Sequence, residues 1–150
     1  MNFSDLIHEF GELLGESFTP YQNRMIRFLI NENLRVQIEM DLMGEFVMLA
    51  CFITEIPPGK FRENVLRDAL KANFLLDEHW STLCYEGKEN HLVLFFKIPA
   101  HGLTGQKLLD QLLPFVARAG LWRDAIDNGH TAPVGKGEIP EAKRKKSLPF

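Results

Sequence analysis

The sequence contains few of the residues that build metal sites and redox centres. It has two cysteines and five histidines, and none of them stands at a metal-ligand spacing such as CxxC, HxxxH or HExxH. Cys51 and Cys84 each fall within an apolar, strand-like run, which favours buried free thiols over a disulfide or a redox pair. The sequence therefore predicts no metal, no cofactor and no redox chemistry.

Sequence patterns of catalytic sites are also missing. Gly135-Lys136-Gly137 lacks the preceding strand, the full glycine spacing and the Ser or Thr after Lys that a phosphate-binding loop requires. No GxSxG elbow accompanies Ser81, and nothing places Ser81 or Cys84 beside a histidine. We therefore expect a protein that is not an enzyme. A small enzyme stays as a competing class, and it would need polar side chains clustered in a pocket.

No apolar run approaches the ~18 residues that a membrane span needs. Residues 1–10 carry acidic side chains where a secretory signal would carry Lys or Arg ahead of an unbroken apolar core. With 45% hydrophobic and 25% charged residues, the 150 residues have the composition of one soluble globular domain. We expect the protein to stay in the cytosol.

Charge divides the sequence into two parts. The formal net charge is −3, but residues 129–150 contain five Lys or Arg and two Glu, which is +3. Residues 1–128 therefore carry −6, with 12 basic and 18 acidic side chains. An acidic body disfavours nucleic acid as the main partner, because backbone phosphates bind to basic surfaces.

The end of the sequence, residues 128–150, shows no hydrophobic period and is rich in glycine and proline. We expect a disordered basic tail there, after one folded domain at residues 1–127. The basic cluster at 143–146 could contact nucleic acid, an acidic partner or a membrane surface. Four charges on a flexible end more often serve solubility.

Hydrophobic periodicity predicts eight elements in the order α-β-β-β-α-β-β-α. They are helices at 5–14, 61–73 and 105–127 and strands at 25–30, 34–41, 46–53, 80–85 and 92–98. Tight turns join the first three strands, so these should form an antiparallel meander. The order predicts an α+β fold with one twisted, mostly antiparallel sheet.

Particular residues predict where the helices begin and end. Ser4 is a candidate N-cap of the first helix, and Gly15 should end it. Asn73 is expected to close the second helix in the left-handed conformation. Pro114 lies inside the pattern of the third helix, which should kink or break near 110–113.

The predicted meander has more apolar residues than one sheet face can hold. Its second strand, 34–41, alternates between apolar and polar residues, so one of its faces meets water. The first and third strands, 25–30 and 46–53, are apolar on both faces. The surplus must be covered by the protein's own helices, by a second subunit or by a partner chain.

Four short motifs, in their order along the chain, resemble the CesT/Tir family of type III secretion chaperones. They are Ala72-Asn73 at the end of an amphipathic helix, Leu83-Cys84-Tyr85-Glu86, Leu92-Val93-Leu94-Phe95 and, at the end of a long helix, Ala119-Gly120-Leu121-Trp122. The resemblance covers residues 1–127 in element order and length.

The resemblance implies a homodimeric bacterial chaperone that keeps one or more secreted effectors partly unfolded and presents them to the secretion apparatus, without catalysis or ATP. An acidic body would stay soluble while apolar strips accept an extended segment. The basic tail departs from the family and leaves open a contact with an apparatus component such as the secretion ATPase. The alternative is a non-catalytic regulatory adaptor that binds a folded partner of the secretion apparatus.

Two binding surfaces follow from the resemblance and the apolar surplus together. The effector should contact the first helix and the meander at Phe10, Met25, Leu29, Phe46, Met48 and Phe52. The opposite faces of the same strands provide an alternative set, Ile26, Phe28, Val47 and Leu49. The second subunit should contact the second helix and the strand after it at Phe61, Val65, Leu66, Ala69, Leu70, Leu83 and Tyr85.

Overall fold

The computed structural model of the chain describes residues 2–75 and 81–133. The helices in these ranges are α1 (Phe3–Leu14), α2 (Lys60–Leu75) and α3 (Gly105–Asp127), and the strands are β1 (Met25–Ile30), β2 (Leu34–Met40), β3 (Phe46–Glu55), β4 (Thr82–Glu86) and β5 (His91–Pro99). Their order confirms the predicted α+β fold. The start of the predicted fourth strand, at residue 80, and residues 134–150 of the predicted tail lie outside the described residues.

The five strands form one sheet in the order β1-β2-β3-β5-β4, with every neighbouring pair antiparallel. The two edge strands are therefore β1 and β4. Since side chains alternate between the faces of a sheet, the register divides the residues into two sets. One set, which we call the inner face, includes Ile26, Phe28, Ile30, Leu34, Val36, Ile38, Met40, Val47, Leu49, Cys51, Ile53, Leu83, Tyr85, Leu92, Leu94, Phe96 and Ile98.

Two helices, α1 and α3, cover the inner face and pack against each other. Ile7 and Phe10 of α1 are buried in the same cluster as Leu108 and Phe115 of α3. Burial of each such side chain contributes ~1.5–3 kcal/mol. The helices approach so closely that a Cβ at Gly105 would lie 2.7 Å from the Phe10 nitrogen, so this position requires glycine.

The remaining helix, α2, packs along edge strand β4. The Asn73 Nδ2 donates to the Leu83 carbonyl oxygen, and the Leu83 N–H donates to Asn73 Oδ1, both at 2.8 Å. The side-chain amide thus pairs with the edge as a neighbouring strand would. The predicted left-handed helix end at Asn73 is wrong, because α2 continues to Leu75 and uses Asn73 to hold β4.

The first helix, α1, begins earlier than predicted. Asn2, rather than Ser4, is its N-cap, and the Asn2 side chain accepts a hydrogen bond from the Asp5 N–H at 2.8 Å. Ser4 lies within the helix because the helix also includes Phe3, which is buried in the core. Gly15 ends α1 at φ 70°, as predicted.

The last helix, α3, continues through Pro114 to Asp127. Of the two outcomes predicted near 110–113, the break is therefore wrong and the kink stays a prediction. Proline removes one backbone hydrogen bond. Leu112 and Phe115, on either side of it, are buried in the core, and this burial keeps both halves in one helix. Neither α3 nor any other helix within 2–75 and 81–133 is long and apolar enough to cross a membrane.

The folded part of the chain extends beyond the predicted boundary at Asp127. The Thr131 hydroxyl donates to the Asp68 carboxylate of α2 at 2.5 Å, and Ala132 packs against the core. Residues 128–133, predicted as the start of the tail, are therefore attached to the domain, because these short contacts fix them against α2 and the core.

Candidate protein-binding surfaces

The second face of the sheet has no helix over β1, β2, β3 and β5 in the described part of the chain, because α1 and α3 lie on the inner face and α2 lies along β4. We call it the outer face. It consists of Met25, Arg27, Leu29, Arg35, Gln37, Glu39, Phe46, Met48, Ala50, Phe52, Glu55, His91, Val93, Phe95 and Lys97. Phe46, Met48 and Phe52 are half-buried there, and Leu29 is 62% exposed.

The structure separates the two predicted sets of effector contacts. The alternative set, Ile26, Phe28, Val47 and Leu49, belongs to the inner face and packs in the core. The first set, apart from Phe10, lies on the outer face. The outer set is therefore the one that a partner could reach, and its role in binding stays a prediction.

The placement of Phe10 in the effector site is wrong. This side chain is completely buried, and its ring centre lies 6.0 Å from that of Phe18 and 6.2 Å from that of Phe28. It is buried because α1 turns its apolar side toward the inner face of the sheet. Phe10 therefore stabilises the core and is covered from any partner.

Two cations cover aromatic rings on the outer face. The Arg35 guanidinium carbon is 4.3 Å from the centre of the Phe52 ring, and the Lys97 Nζ is 4.0 Å from the centre of the Phe46 ring. Exposed cation–π contacts contribute ~0.5–1 kcal/mol each. The Phe52 ring also meets the His91 ring nearly at a right angle, with ring centres 5.8 Å apart. These contacts shield the rings from water without burying them.

An open cleft of about 610 Å³ lies beside edge strand β1. It is lined by Met25, Ile26 and Arg27 of β1 and by Ser17, Phe18, Thr19 and Tyr21 of the preceding loop. The Tyr21 N–H donates to the Met25 carbonyl oxygen at 2.7 Å, which fixes the loop against the strand. An edge strand beside an open cleft suits the addition of a strand from a partner.

Sequence reasoning missed the cleft residues Phe18 and Tyr21. They lie in a loop that has no hydrophobic period, so no pattern singled them out. Tyr21 is 63% exposed, and the following Gln22 and Asn23 both have positive φ. In the sequence, the only signal was an aromatic residue followed by Asn23, a residue type that tolerates the left-handed region.

A second apolar surface lies on the side of α2 that faces away from the core. We call it the α2 patch, and it consists of Arg67, Leu70, Lys71, Phe74 and Leu75. Leu70 is 70% exposed and Phe74 is 83% exposed. Phe74 and Leu75 were not among the predicted subunit contacts.

The structure divides the predicted subunit contacts by burial. Phe61, Leu70 and Tyr85 are exposed, and Leu66 is partly buried against the core. Val65, Ala69 and Leu83 are buried within their own chain. These three hold α2 and β4 in place, so a second subunit could contact only the exposed members of the set.

The model of the Tir chaperone protein (CesT) family matches residues 5–123 of this sequence. The chain belongs to this family. The matched range includes the outer face, the β1 cleft and the α2 patch. The predicted class, a type III secretion chaperone, is thereby confirmed. No curated protein matches the sequence.

Solved structures share the fold of this family member at low sequence identity. A chain of the ExsC–ExsE complex aligns with TM-score 0.70 and 18% identity, over 83% of this chain and 96% of that one. A chain of the HopA1–SchA chaperone–effector complex aligns with TM-score 0.66 and 18% identity, over 82% and 94%. The complex of the Yersinia pestis type III secretion chaperone SycH with a fragment of YscM2 gives TM-score 0.59 and 18% identity, over 79% and 97%.

The two thiols of this chaperone lie on opposite faces of the sheet. Burial raises the pKa of Cys51 to about 12, so this inward thiol is protonated at neutral pH. Cys84 is an exposed residue, but its Sγ turns toward the Val93 carbonyl oxygen at 3.6 Å, and this partial burial raises its pKa. Among the described residues, no group of three His, Cys, Asp or Glu could hold a metal ion.

Proposed function

We propose that this chaperone binds an extended segment of a secreted effector across the outer face and along the free edge of β1, keeping the segment soluble and ready for secretion. The proposal depends on one observation about β3. Its residues on the outer face are as apolar as its residues on the inner face, which the helices cover. An uncovered apolar face of this kind favours a partner chain. All three similar structures described above are complexes, and one of them is a chaperone–effector complex.

An extended segment suits this surface because its side chains alternate with the same period as those of the sheet. It could place apolar side chains on Leu29 and Met48 and pair its backbone with β1. Burying one such anchor contributes roughly 1.5–3 kcal/mol, which corresponds to about tenfold or more in affinity. The flexible side chains of Met25 and Met48 would accommodate more than one effector sequence.

The test begins with capture of the effector. The tagged full-length chain is purified from bacteria that possess a type III apparatus, the bound protein is identified, and its chaperone-binding segment is titrated. We expect Met48→Glu and Leu29→Glu to weaken binding at least about tenfold. Leu113→Glu, on the exposed side of α3, is the matched control. Wild-type affinity in correctly folded Met48→Glu and Leu29→Glu variants would contradict the placement.

Protease protection separates the chaperone from the alternative class. A chaperone that holds an extended segment should protect that segment from limited proteolysis in the complex. A regulatory adaptor for a folded partner would leave the segment as sensitive as it is alone.

We also propose that two copies of the chain pair through the α2 patch. Exposed apolar side chains on one helix, such as Leu70 and Phe74, are typical of a surface that a second subunit covers. Light scattering should give about twice the chain mass of 17.2 kDa. Leu70→Asp should give a folded monomer, since Leu70 makes little contact with the core. A wild-type monomer at micromolar concentration would contradict the proposal.

We place the effector complex in the bacterial cytoplasm and propose that residues 134–150 contact the secretion ATPase. The support is the charge of this tail, five basic and two acidic side chains, which fits an acidic surface on the apparatus. Deletion of residues 134–150 should reduce effector secretion and leave effector binding unchanged. Normal secretion by the truncated chain would contradict a role of the tail.

A further inference from the structure

We infer that the segment bound on the outer face is acidic as well as apolar, and that Arg35 and Lys97 select it by charge. The inference rests on the proposed function, because it concerns the same surface. It depends on a separate observation, the distribution of charge on that surface.

The outer face is a basic region on an acidic domain. Its strands carry three cations, Arg27, Arg35 and Lys97, and two carboxylates, Glu39 and, opposite His91, Glu55. The Glu39 carboxylate is already paired, with its Oε1 2.7 Å from Nη2 of Arg24. The sequence ahead of the tail nevertheless carries a net −6. The small excess of positive charge on this face therefore contrasts with the acidic remainder of the domain, and it lies among the exposed apolar side chains.

The two cations that cover the aromatic rings are not held by strong ion pairs. Among the described residues, no carboxylate lies within 4.0 Å of Lys97 Nζ. Arg35 lies 4.0 Å from Glu89, with both side chains exposed to solvent, and such a pair contributes little. A carboxylate of the bound effector segment could therefore bind either cation without displacing a strong internal partner.

Each cation also stands directly beside an apolar anchor on β3. The register sets Lys97 opposite Met48 and Arg35 opposite Phe52. On its other side Met48 is opposite Glu39, whose charge is balanced by its pair with Arg24. Side chains of directly opposed residues are neighbours on the sheet surface, with Cβ atoms ~4.5–5.5 Å apart. An effector segment that buries side chains on Met48 and Phe52 therefore places the residues next to those side chains within reach of both cations. Acidic residues at those positions complement the surface, whereas basic ones are repelled.

The same charges disfavour one other occupant, the chain's own tail. Residues 134–150 contain five basic and two acidic side chains. The tail would bring a net charge of +3 to a surface that is itself positive, so an external acidic segment fits better than the tail.

Defined peptides test the inference without knowledge of the natural effector. Three labelled peptides of equal length, in which Leu and Phe alternate with Glu, with Lys or with Ser, are titrated against the full chain by fluorescence anisotropy. We expect the Glu peptide to bind most tightly, and added salt to reduce its advantage. Lys97→Glu and Arg35→Glu should each weaken the Glu peptide about fivefold and strengthen the Lys peptide.

The control for net charge is Lys107→Glu. Lys107 is an exposed residue of α3, in the helical layer over the inner face, so its reversal changes the charge of the chain equally. An equal loss of the Glu peptide with Lys107→Glu would overturn the inference, and so would preference for the Lys peptide.

A double variant, Met48→Ser with Phe52→Ser, separates failure of the inference from failure of the proposed function. If this variant loses all three peptides and the wild type binds them equally, the surface is right and charge selection is wrong. If the variant binds the peptides as the wild type does, the proposed surface is wrong, and the inference falls with it.

Discussion

The two faces of β3 carry similar residues in different surroundings. The inward residues are Val47, Leu49, Cys51 and Ile53, and the outward residues are Phe46, Met48, Ala50 and Phe52. All four inward residues are fully buried, and all four outward residues are half-buried. What differs is the layer of helices over the inner face. In this sheet, the face to which a strand residue points decides whether its apolar side chain stabilises the fold or remains open to a partner.

The side chains of the two faces also differ in shape. The inward ones are mostly compact and branched, which suits close packing in a core. The outward ones include the long, flexible Met48 and two aromatic rings, Phe46 and Phe52, covered by cations. Such side chains can adapt to a changing partner, so shape and burial support the same division.

The sharpest test of the division compares neighbouring residues of opposite parity. Leu49→Glu buries an unpaired charge in the core and should reduce the free energy of unfolding by more than about 4 kcal/mol. Met48→Glu should change it by less than about 1 kcal/mol, because the new carboxylate is solvated. Urea denaturation followed by circular dichroism measures both. Equal losses in the two variants would break the comparison.

The two edges of the sheet extend the comparison, since Asn73 pairs with β4 while β1 has an open cleft beside it. Asn73→Ala leaves both the N–H and the carbonyl oxygen of Leu83 without this partner, and should cost about 2–4 kcal/mol. Lys60→Ala, at the exposed start of α2 and outside the α2 patch, is the control and should cost less than about 0.5 kcal/mol. A similar small loss for Asn73→Ala would mean that water replaces the amide.

The buried thiol of Cys51 makes the stability of the inner face depend on pH. The folded pKa of Cys51 is about 12 against an ordinary 9.0, so the folded state retains the thiol proton that the unfolded state loses. The contribution of Cys51 to stability is therefore complete below pH 9 and falls as pH rises from 9 toward 12. Relative to Cys51→Val, the wild type should lose about 1.4 kcal/mol by pH 10. A constant difference between pH 8 and pH 10 would contradict this.

The smallest expected effect is that of removing residues 134–150. If the outer face is not covered by the tail, truncation after Pro133 should leave the melting temperature and the rate of Cys84 alkylation unchanged. Truncation after Asp127 should lower the melting temperature by a few degrees, because it removes the contact of Thr131 with Asp68 and the packing of Ala132. Faster alkylation of Cys84 after removal of residues 134–150 would show that the tail shields the outer face.

Local pattern predicted most of the fold but failed at residues that make distant contacts. The limits of β1, 25–30, agree with the structure, because apolar periodicity and turn residues act over a few positions. Asn73, Ser4 and Pro114 each had a sound local interpretation. Each was overruled by contacts from outside its own segment: a hydrogen-bonded edge strand, a buried Phe3 and a buried helix face.

The sequence by itself determined the order of elements, the family and the existence of an apolar surplus in the meander. A period of two residues shows that a strand has two faces, but it contains no information on which face the helices will cover. Only the tertiary structure decided that Leu49 lies in the core and Met48 on the outer face, and that Phe10 is covered. The physical reason is that burial depends on the packing of α1 and α3 against the sheet, which joins segments far apart in the chain.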